Sequence, residues 1–161
     1  IESNWAALRE AQTYALRLPY TGMAVSTDVG DRKDIHPKQK KEVGDRLAAN
    51  ALYIEYSFTK EEYIGPVFKA VNREGNGLTI QYDHKGSGLK INGDKLLGFA
   101  IAGKDKKFVP ADAVIRNGSV FVSATQVTSP VYVRYAWANA PLEANLYNIE
   151  GFPAAPFRTD Q

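Results

Sequence analysis

His36 is one of only two histidines in this chain of 161 residues, and it lies in the segment Asp34-Ile35-His36-Pro37. A histidine side chain accepts and returns protons near neutral pH, so His36 is a candidate general base. An aspartate and a histidine just before a proline also suit the start of a helix, where a carboxylate interacts favourably with the helix dipole. The local pattern therefore leaves two interpretations open, a catalytic histidine and a polar residue at a helix entry.

The other reactive residue types add little chemistry. His84, in the stretch YDHKGSGL, lies between an apolar run and a glycine-rich turn, which is typical of a solvated turn residue. Neither histidine has the spacing to a second histidine that helical or hairpin metal sites use. The chain contains no cysteine, which excludes disulfides, thiolate metal sites and cysteine nucleophiles. We therefore expect neither a metal nor another cofactor.

Composition limits the class of partner. The 20 basic and 18 acidic residues give a formal net charge of +2 and are spread along the chain. This balance leaves no basic footprint for nucleic acid or an anionic membrane. No apolar run approaches the roughly 18 residues that a membrane span requires. We predict neither a nucleic-acid nor a membrane partner and favour a small or neutral one.

The first part of the chain is predicted to form helix, strand and helix. Ser3 suits the N-cap of a helix from Asn4 to about Leu16, with apolar residues at helical spacing. The stretch GMAVST, residues 22–27, has the length and composition of a short buried strand. Pro37 suits the first position of a second helix that extends to about Ile54, which places His36 at the helix N-terminus.

From about Gly65 the apolar residues alternate in short segments that turn residues separate, as in an antiparallel sandwich. Asn117-Gly118 between two such segments predicts a two-residue hairpin turn. The fold class is therefore α/β plus all-β, with an α/β segment at residues 1–58 and a β-sandwich-like domain at 59–161 that ends in an ordered irregular tail. Residues 1–58 are too few for an ordinary α/β domain. We expect the chain to be a fragment of a longer protein, here called the parent protein, with any export signal upstream.

Several stretches, in this order along nearly the whole chain, resemble the C-terminal part of sialate O-acetylesterases, which belong to the SGNH-hydrolase group of serine esterases. The stretches are NWAALREAQ, TGMAVSTDVGD, DIHPKQKKEVGDRLA, GPVFK, VRYAWAN and LYNIEGFPAAPFRTD. The resemblance implies that residues 1–58 are the C-terminal portion of a three-layer SGNH-type α/β hydrolase domain, followed by the β-rich domain.

The resemblance also implies the catalytic roles. The serine nucleophile of the family lies near the start of the hydrolase domain, and no serine of this chain has a Gly-x-Ser-x-Gly or Gly-Asp-Ser context. The N-terminal half of the parent protein would supply it, and this chain alone would be inactive. His36 matches the family's IHP and would be the general base. The wider group has an aspartate three residues earlier, where this chain has Lys33, so Asp34 is the first candidate for the supporting acid and Asp28 the alternative.

The function implied is removal of O-acetyl groups from sialic acid or a related acetylated sugar, through a serine acyl-enzyme. An acetylated sugar or glycan would be the substrate, and the parent protein would be secreted or periplasmic. Two alternatives remain open. One is an acetylxylan-type polysaccharide esterase with the same chemistry, and the other is a non-catalytic module whose β-rich half binds glycan or has a structural role.

Overall fold

The computed structural model describes residues 3–58 and 62–161, which form mostly antiparallel β-sheet with two α-helices. Helix α1 spans Asn4–Tyr14 and continues into a 3-10 turn at Ala15–Arg17, and helix α2 spans Lys40–Ile54. No helix in these two ranges is long and apolar enough to cross a membrane. The strands that follow are β1 Val67–Glu74, β2 Gly77–Asp83, β3 Leu89–Ile91, β4 Phe99–Ala102, β5 Val109–Pro110, β6 Asp112–Arg116, β7 Ser119–Ser123, β8 Tyr132–Tyr135, β9 Leu146–Asn148 and β10 Phe157–Arg158.

Two four-stranded sheets share one apolar core. The first has the strand order β1-β2-β7-β6, the second has the order β10-β8-β4-β5, and β3 pairs with β9 in a separate ribbon. Alternate residues of both sheets point inward, as a sandwich requires. Ile80 and Val120 from the first sheet and Ile101 and Val133 from the second are each fully buried in this core.

The structure confirms two local predictions. Ser3 caps α1, and its Oγ accepts the backbone N–H of Ala6 at 3.1 Å. The β6–β7 hairpin turns at Asn117 and Gly118, whose φ angles of 50° and 69° are the left-handed values that a two-residue turn needs. The boundary predicted between residues 58 and 59 falls at the edge of the segment 59–61, which lies outside the described residues, and it stays a prediction.

The segment 22–27 differs from the prediction, because it forms no strand. A strand needs a neighbouring backbone, and side chains of α2 take that place for part of this segment. Asn50 Oδ1 accepts the Met23 N–H at 3.2 Å, and Arg46 donates to the Val25 carbonyl at 2.6 Å. The composition suits a strand, but no strand within the described residues pairs with it.

The start of α2 also differs from the prediction, since the helix begins at Lys40 and not at Pro37. The Asp34 carboxylate accepts the His36 backbone N–H at 2.8 Å, which gives this stretch a local turn instead of helical geometry. His36 therefore lies in the loop before the helix. The dipole of α2 is correspondingly farther from the imidazole than the sequence suggested.

The two parts of the chain differ in how well their apolar side chains are covered. Among the described residues, the buried apolar side chains before residue 59 are Ala6 and Val29. The same segment carries most of the large exposed apolar side chains, including Trp5 at 56% exposure and Leu47 at 51%. The predicted apolar face of α1 is therefore present, but the described residues leave much of it open to solvent.

A pair of glycines provides a test of the packing at the start of the β-rich part. A Cβ on buried Gly65 would lie 1.9 Å from the Pro153 carbonyl oxygen, which is backbone and cannot rotate away. We expect Gly65→Ala to lower the free energy of unfolding by about 2–3 kcal/mol, the usual cost of overpacking. Gly44 in α2 is the control, because nothing lies within 4 Å of the position that a Cβ would take there and alanine is the better helix former. Chemical denaturation measures both, and equal effects of the two substitutions would contradict this packing.

Candidate active site

Two short turns shape the loop that carries His36. The Asp31 carboxylate accepts the backbone N–H of Lys33 at 2.8 Å, and the Asp34 carboxylate accepts that of His36 at the same distance. Aspartate commonly forms such turns by binding a backbone N–H two residues further on. The second turn fixes the Asp34 carboxylate beside the backbone of His36, while both side chains remain exposed to solvent.

The Asp34 carboxylate contacts the backbone N–H of His36 and forms no hydrogen bond with its imidazole ring. In residues 3–58 and 62–161, no hydrogen bond or ion pair joins the His36 imidazole to Asp34 or to Asp28. The bond that the structure does contain uses Asp34 Oδ1 and leaves Oδ2 for another donor.

Asp28 lies in a different environment, where its carboxylate is bound by two other side chains. Arg46 donates to both oxygens, at 2.8 and 2.6 Å, and the Tyr147 hydroxyl donates to Oδ2 at 3.1 Å. The Arg46 and Asp28 side chains are only 10% and 13% exposed. Burial, together with the charge and hydrogen bond of Asp28, raises the pKa of Tyr147 to about 12. Asp28 therefore connects α2, the start of the loop and strand β9.

A second connection joins α1 to a loop of the β-rich part, residues 137–142, called the 137–142 loop below. Arg9 donates hydrogen bonds to the carbonyls of Ala138 and Asn139, and the Ser3 hydroxyl donates to Asn139 Oδ1 at 2.7 Å. Arg158 of β10 also forms an ion pair with Glu10 of α1 at 2.9 Å. These contacts hold the 137–142 loop beside the helix that precedes the His36 loop.

A cavity of about 480 Å³, called the loop cavity, lies between the His36 loop and the 137–142 loop. This volume is in the usual range for small-ligand sites. Asp34 lines the cavity, and His36 is flanked in sequence by two of its lining residues, Ile35 and Pro37. The wall contains the exposed ring of Trp5 and the cationic side chains Arg9, Arg32 and Lys33. Asp34 thus lines the cavity, whereas His36 lies next to it in the loop and does not itself line the wall.

His84 lies outside this arrangement. Its Nδ1 is 3.2 Å from Glu62 Oε1, and its ring packs edge-on against Tyr63. It occupies a turn with φ of 55°, as the sequence suggested. The part of the chain that the structure describes contains no group of three or more His, Cys, Asp or Glu side chains placed to hold a metal ion.

Sequence reasoning missed three features of this region. These are the pairing of Asp28 with Arg46 and Tyr147, the bonds from Arg9, and the 137–142 loop as a cavity wall. A bidentate Arg–Asp pair gives no local signal when its members are 18 residues apart, and Tyr147 is 119 residues from Asp28. For the 137–142 loop, the nearest signal in the sequence was the mixture of aromatic and polar residues in VRYAWAN, but this pattern also suits one face of a β-sheet.

Comparison with known proteins finds a similar solved structure. No protein-family model matches the chain, and the search of the curated proteins found no match. The crystal structure of a carbohydrate acetylesterase from Xanthomonas citri superposes with a TM-score of 0.94, at 44% sequence identity. The match covers 99% of this chain and 37% of that protein, so the chain spans little more than a third of the length of the enzyme it resembles.

Proposed function

We propose that the parent protein is a carbohydrate acetylesterase and that this chain supplies its general base, His36. The observation that carries the proposal is the match to a carbohydrate acetylesterase over 99% of the chain at 44% identity. An identity of this size over a whole chain supports a shared active-site architecture as well as a shared fold. The solvent-exposed position of His36 beside the loop cavity is compatible with this role.

The proposed chemistry has two steps. His36 takes the proton of a serine hydroxyl as the serine oxygen attacks the acetyl carbonyl, and the protonated imidazole then gives that proton to the leaving sugar oxygen. The acetyl group is now on the serine. In the second step His36 deprotonates a water molecule that attacks the acyl-enzyme, and returns the proton to the serine oxygen as acetic acid leaves and ionises in the solvent.

The serine belongs, in this proposal, to a part of the parent protein that is not in this chain. The chain spans only 37% of its structural neighbour, which leaves most of an enzyme of that size to be supplied. The exposed apolar residues on the two helices, among them Trp5, Leu8, Leu47 and Leu52, suit burial against a further layer of the domain. A strand placed beside residues 22–27 would complete the strand predicted there, as in a three-layer SGNH-type hydrolase.

For the substrate we propose an O-acetylated sugar, with O-acetylated sialic acid as the first candidate because of the motifs in the sequence. The wall of the loop cavity contains three cations, Arg9, Arg32 and Lys33, against two carboxylates, Asp31 and Asp34. This excess of positive charge supports an acidic sugar at this site. The acetyl group would point toward His36, and the sugar carboxylate toward these cations.

The direct test is acetate release from the parent protein and from residues 1–161, each incubated with 9-O-acetylated sialic acid and with acetylated xylan oligosaccharides. We expect the parent protein to release acetate and the isolated chain to release none. Release from sialic acid but not from xylan supports the substrate assignment, and the reverse result overturns it in favour of a polysaccharide esterase. If the parent protein releases acetate from neither substrate nor from a chromogenic acetyl ester, the esterase proposal is wrong.

Two substitutions in the parent protein test which aspartate supports His36. We propose Asp34, because its carboxylate is fixed beside His36, whereas that of Asp28 is occupied by Arg46 and Tyr147. Asp34→Asn should lower kcat by about ten- to a hundredfold with little change in stability. Asp28→Asn should instead lower the free energy of unfolding by about 3 kcal/mol, since it removes the negative charge from a largely buried ion pair.

The two measurements are the kcat for a chromogenic acetyl ester and the denaturant midpoint. The opposite pattern, with kcat lost in Asp28→Asn and retained in Asp34→Asn, would assign the acid role to Asp28.

A further inference from the structure

A second cavity, called the aromatic cavity, lies in the β-rich part of the chain and has a volume of about 420 Å³. Its wall is mainly apolar and includes Phe99, Phe108, Leu97 and Leu142, together with Trp137. Leu97 and Leu142 are 40% and 41% exposed. Its size is in the range of small-ligand sites, and most of its wall is outside residues 1–58 that carry His36.

The aromatic cavity adjoins the loop cavity. Four residues line both: Arg32 from the His36 loop, and Ala140, Pro141 and Leu142 from the 137–142 loop. The two cavities are therefore neighbours that meet at these four residues. A single sugar with an acetyl group fits one such cavity, whereas a sugar within an oligosaccharide has neighbours that need a second.

The polar groups of the aromatic cavity suit hydroxyls. The Trp137 indole N–H is buried and has no hydrogen-bond partner among the described residues, which is a costly arrangement in the absence of a ligand. Glu143 is exposed and lines the same cavity. The Glu143 carboxylate can accept from a sugar hydroxyl, and the Trp137 N–H has an unfilled donor capacity beside the cavity.

The aromatic wall is held in place by charged neighbours. The Arg134 guanidinium lies 4.0 Å from the centroid of the Phe108 ring, and the Arg158 guanidinium lies 4.8 Å from that of Trp137. Asp160 binds Arg134 through two hydrogen bonds of 2.9 and 2.6 Å in a buried pair. Fixed aromatic and apolar surfaces with few polar groups are typical of preformed ligand sites.

We infer that the aromatic cavity is a subsite for a neutral saccharide unit, adjacent in the glycan to the acetylated sugar that the loop cavity holds. Its description as a subsite rests on the proposed esterase function. The neutral class follows from the apolar wall, which suits the C–H faces of a pyranose, and from the balance of charge in the lining. Arg134 is paired with Asp160, and the two remaining charged side chains, Arg32 and Glu143, are opposite in sign. In this arrangement the β-rich part binds the glycan and the His36 loop acts on its acetyl group.

Binding and catalysis provide separate tests. Calorimetric titration of the parent protein with the neutral oligosaccharides xylohexaose, cellohexaose and mannohexaose should show saturable binding to at least one of them. Trp137→Phe keeps an aromatic ring and removes the N–H, and Glu143→Gln keeps the shape and removes the charge. Each should weaken that binding by about tenfold, the effect of one hydrogen bond. Asp94→Asn, at an exposed acid that lines neither cavity, should leave it unchanged.

The outcomes separate the subsite from the esterase proposal. No saturable binding to any of the three oligosaccharides, or equal binding by wild type and both cavity variants, overturns the subsite even if acetyl esters are hydrolysed. Oligosaccharide binding that the two variants weaken supports the site even if no ester is hydrolysed, in which case the esterase proposal fails alone. A thermal melt of each variant checks the fold, and Glu143→Gln remains informative if Trp137→Phe does not fold.

Discussion

Replacing His36 with alanine in the parent protein should lower kcat for acetyl-ester hydrolysis by about 10²–10⁴-fold, the usual contribution of a general acid–base residue. In the proposed mechanism His36 accepts the serine proton during attack and returns it to the leaving sugar oxygen, so the variant would lack both proton transfers. His36 is exposed in a loop, so its removal should leave the melting temperature unchanged. The measurement is the initial rate with a chromogenic acetyl ester across neutral pH.

The chain contains its own matched control for this experiment. His84 is the only other histidine, and it lies in a turn where its Nδ1 contacts Glu62 at 3.2 Å. His84→Ala should retain most of the wild-type rate. If His36→Ala retains full activity, or if His84→Ala loses as much, the base is not His36 and the assignment of the loop is wrong.

Removing the carboxylate of Asp160 should produce the largest loss of stability, about 3–5 kcal/mol for Asp160→Ala. Asp160 and Arg134 are 3% and 6% exposed at their side chains and form a two-point ion pair. Without Asp160 the largely buried guanidinium loses this two-point carboxylate partner. The control is Asp112→Ala, which removes an exposed pair with Lys95 and should cost less than about 1 kcal/mol. Denaturant unfolding measures both losses. Similar losses in the two variants would show that the buried pair contributes no more to stability than the exposed one.

The Asp160–Arg134 pair should also make the free energy of unfolding depend on pH in the acid range. The hydrogen bond from Arg134 is the main cause that lowers the pKa of Asp160 below its ordinary value. The folded state therefore binds its proton less readily than the unfolded chain, whose aspartate has a pKa of about 3.9. The pair contributes its full stability above the pKa of the unfolded aspartate. This contribution is lost as the pH falls below that pKa and through the lower pKa of Asp160 in the folded state. The difference in stability between wild type and Asp160→Ala should accordingly shrink in strong acid and stay constant near neutral pH.

The β-rich half could be predicted from sequence because its signals are local. Alternating apolar residues and the Asn117-Gly118 turn depend on neighbours one or two positions away, and both predictions are confirmed. The N-cap of α1 at Ser3 is equally local. The strand at 22–27 was predicted from composition alone, and it failed because a strand also needs a pairing partner from elsewhere in the chain.

The candidate site was less accessible to sequence reasoning. His36 and Asp34 stand out by residue type, but their relative geometry depends on which hydrogen bond the Asp34 carboxylate makes. The 137–142 loop reaches the His36 loop only through folding, since 129 residues separate Arg9 from its acceptor at Ala138. Such contacts follow from the packing of whole elements, so no spacing rule predicts them.

The central claim is that this chain supplies a base to a serine located elsewhere in the parent protein. The most direct measurement is covalent labelling of the parent protein with a fluorophosphonate, in which the serine oxygen displaces fluoride from phosphorus, followed by mass spectrometric assignment of the modified residue. We predict one labelled serine outside residues 1–161, with labelling that slows at least about a hundredfold in His36→Ala. A label on a serine within this chain, or an unchanged rate in His36→Ala, would contradict the claim.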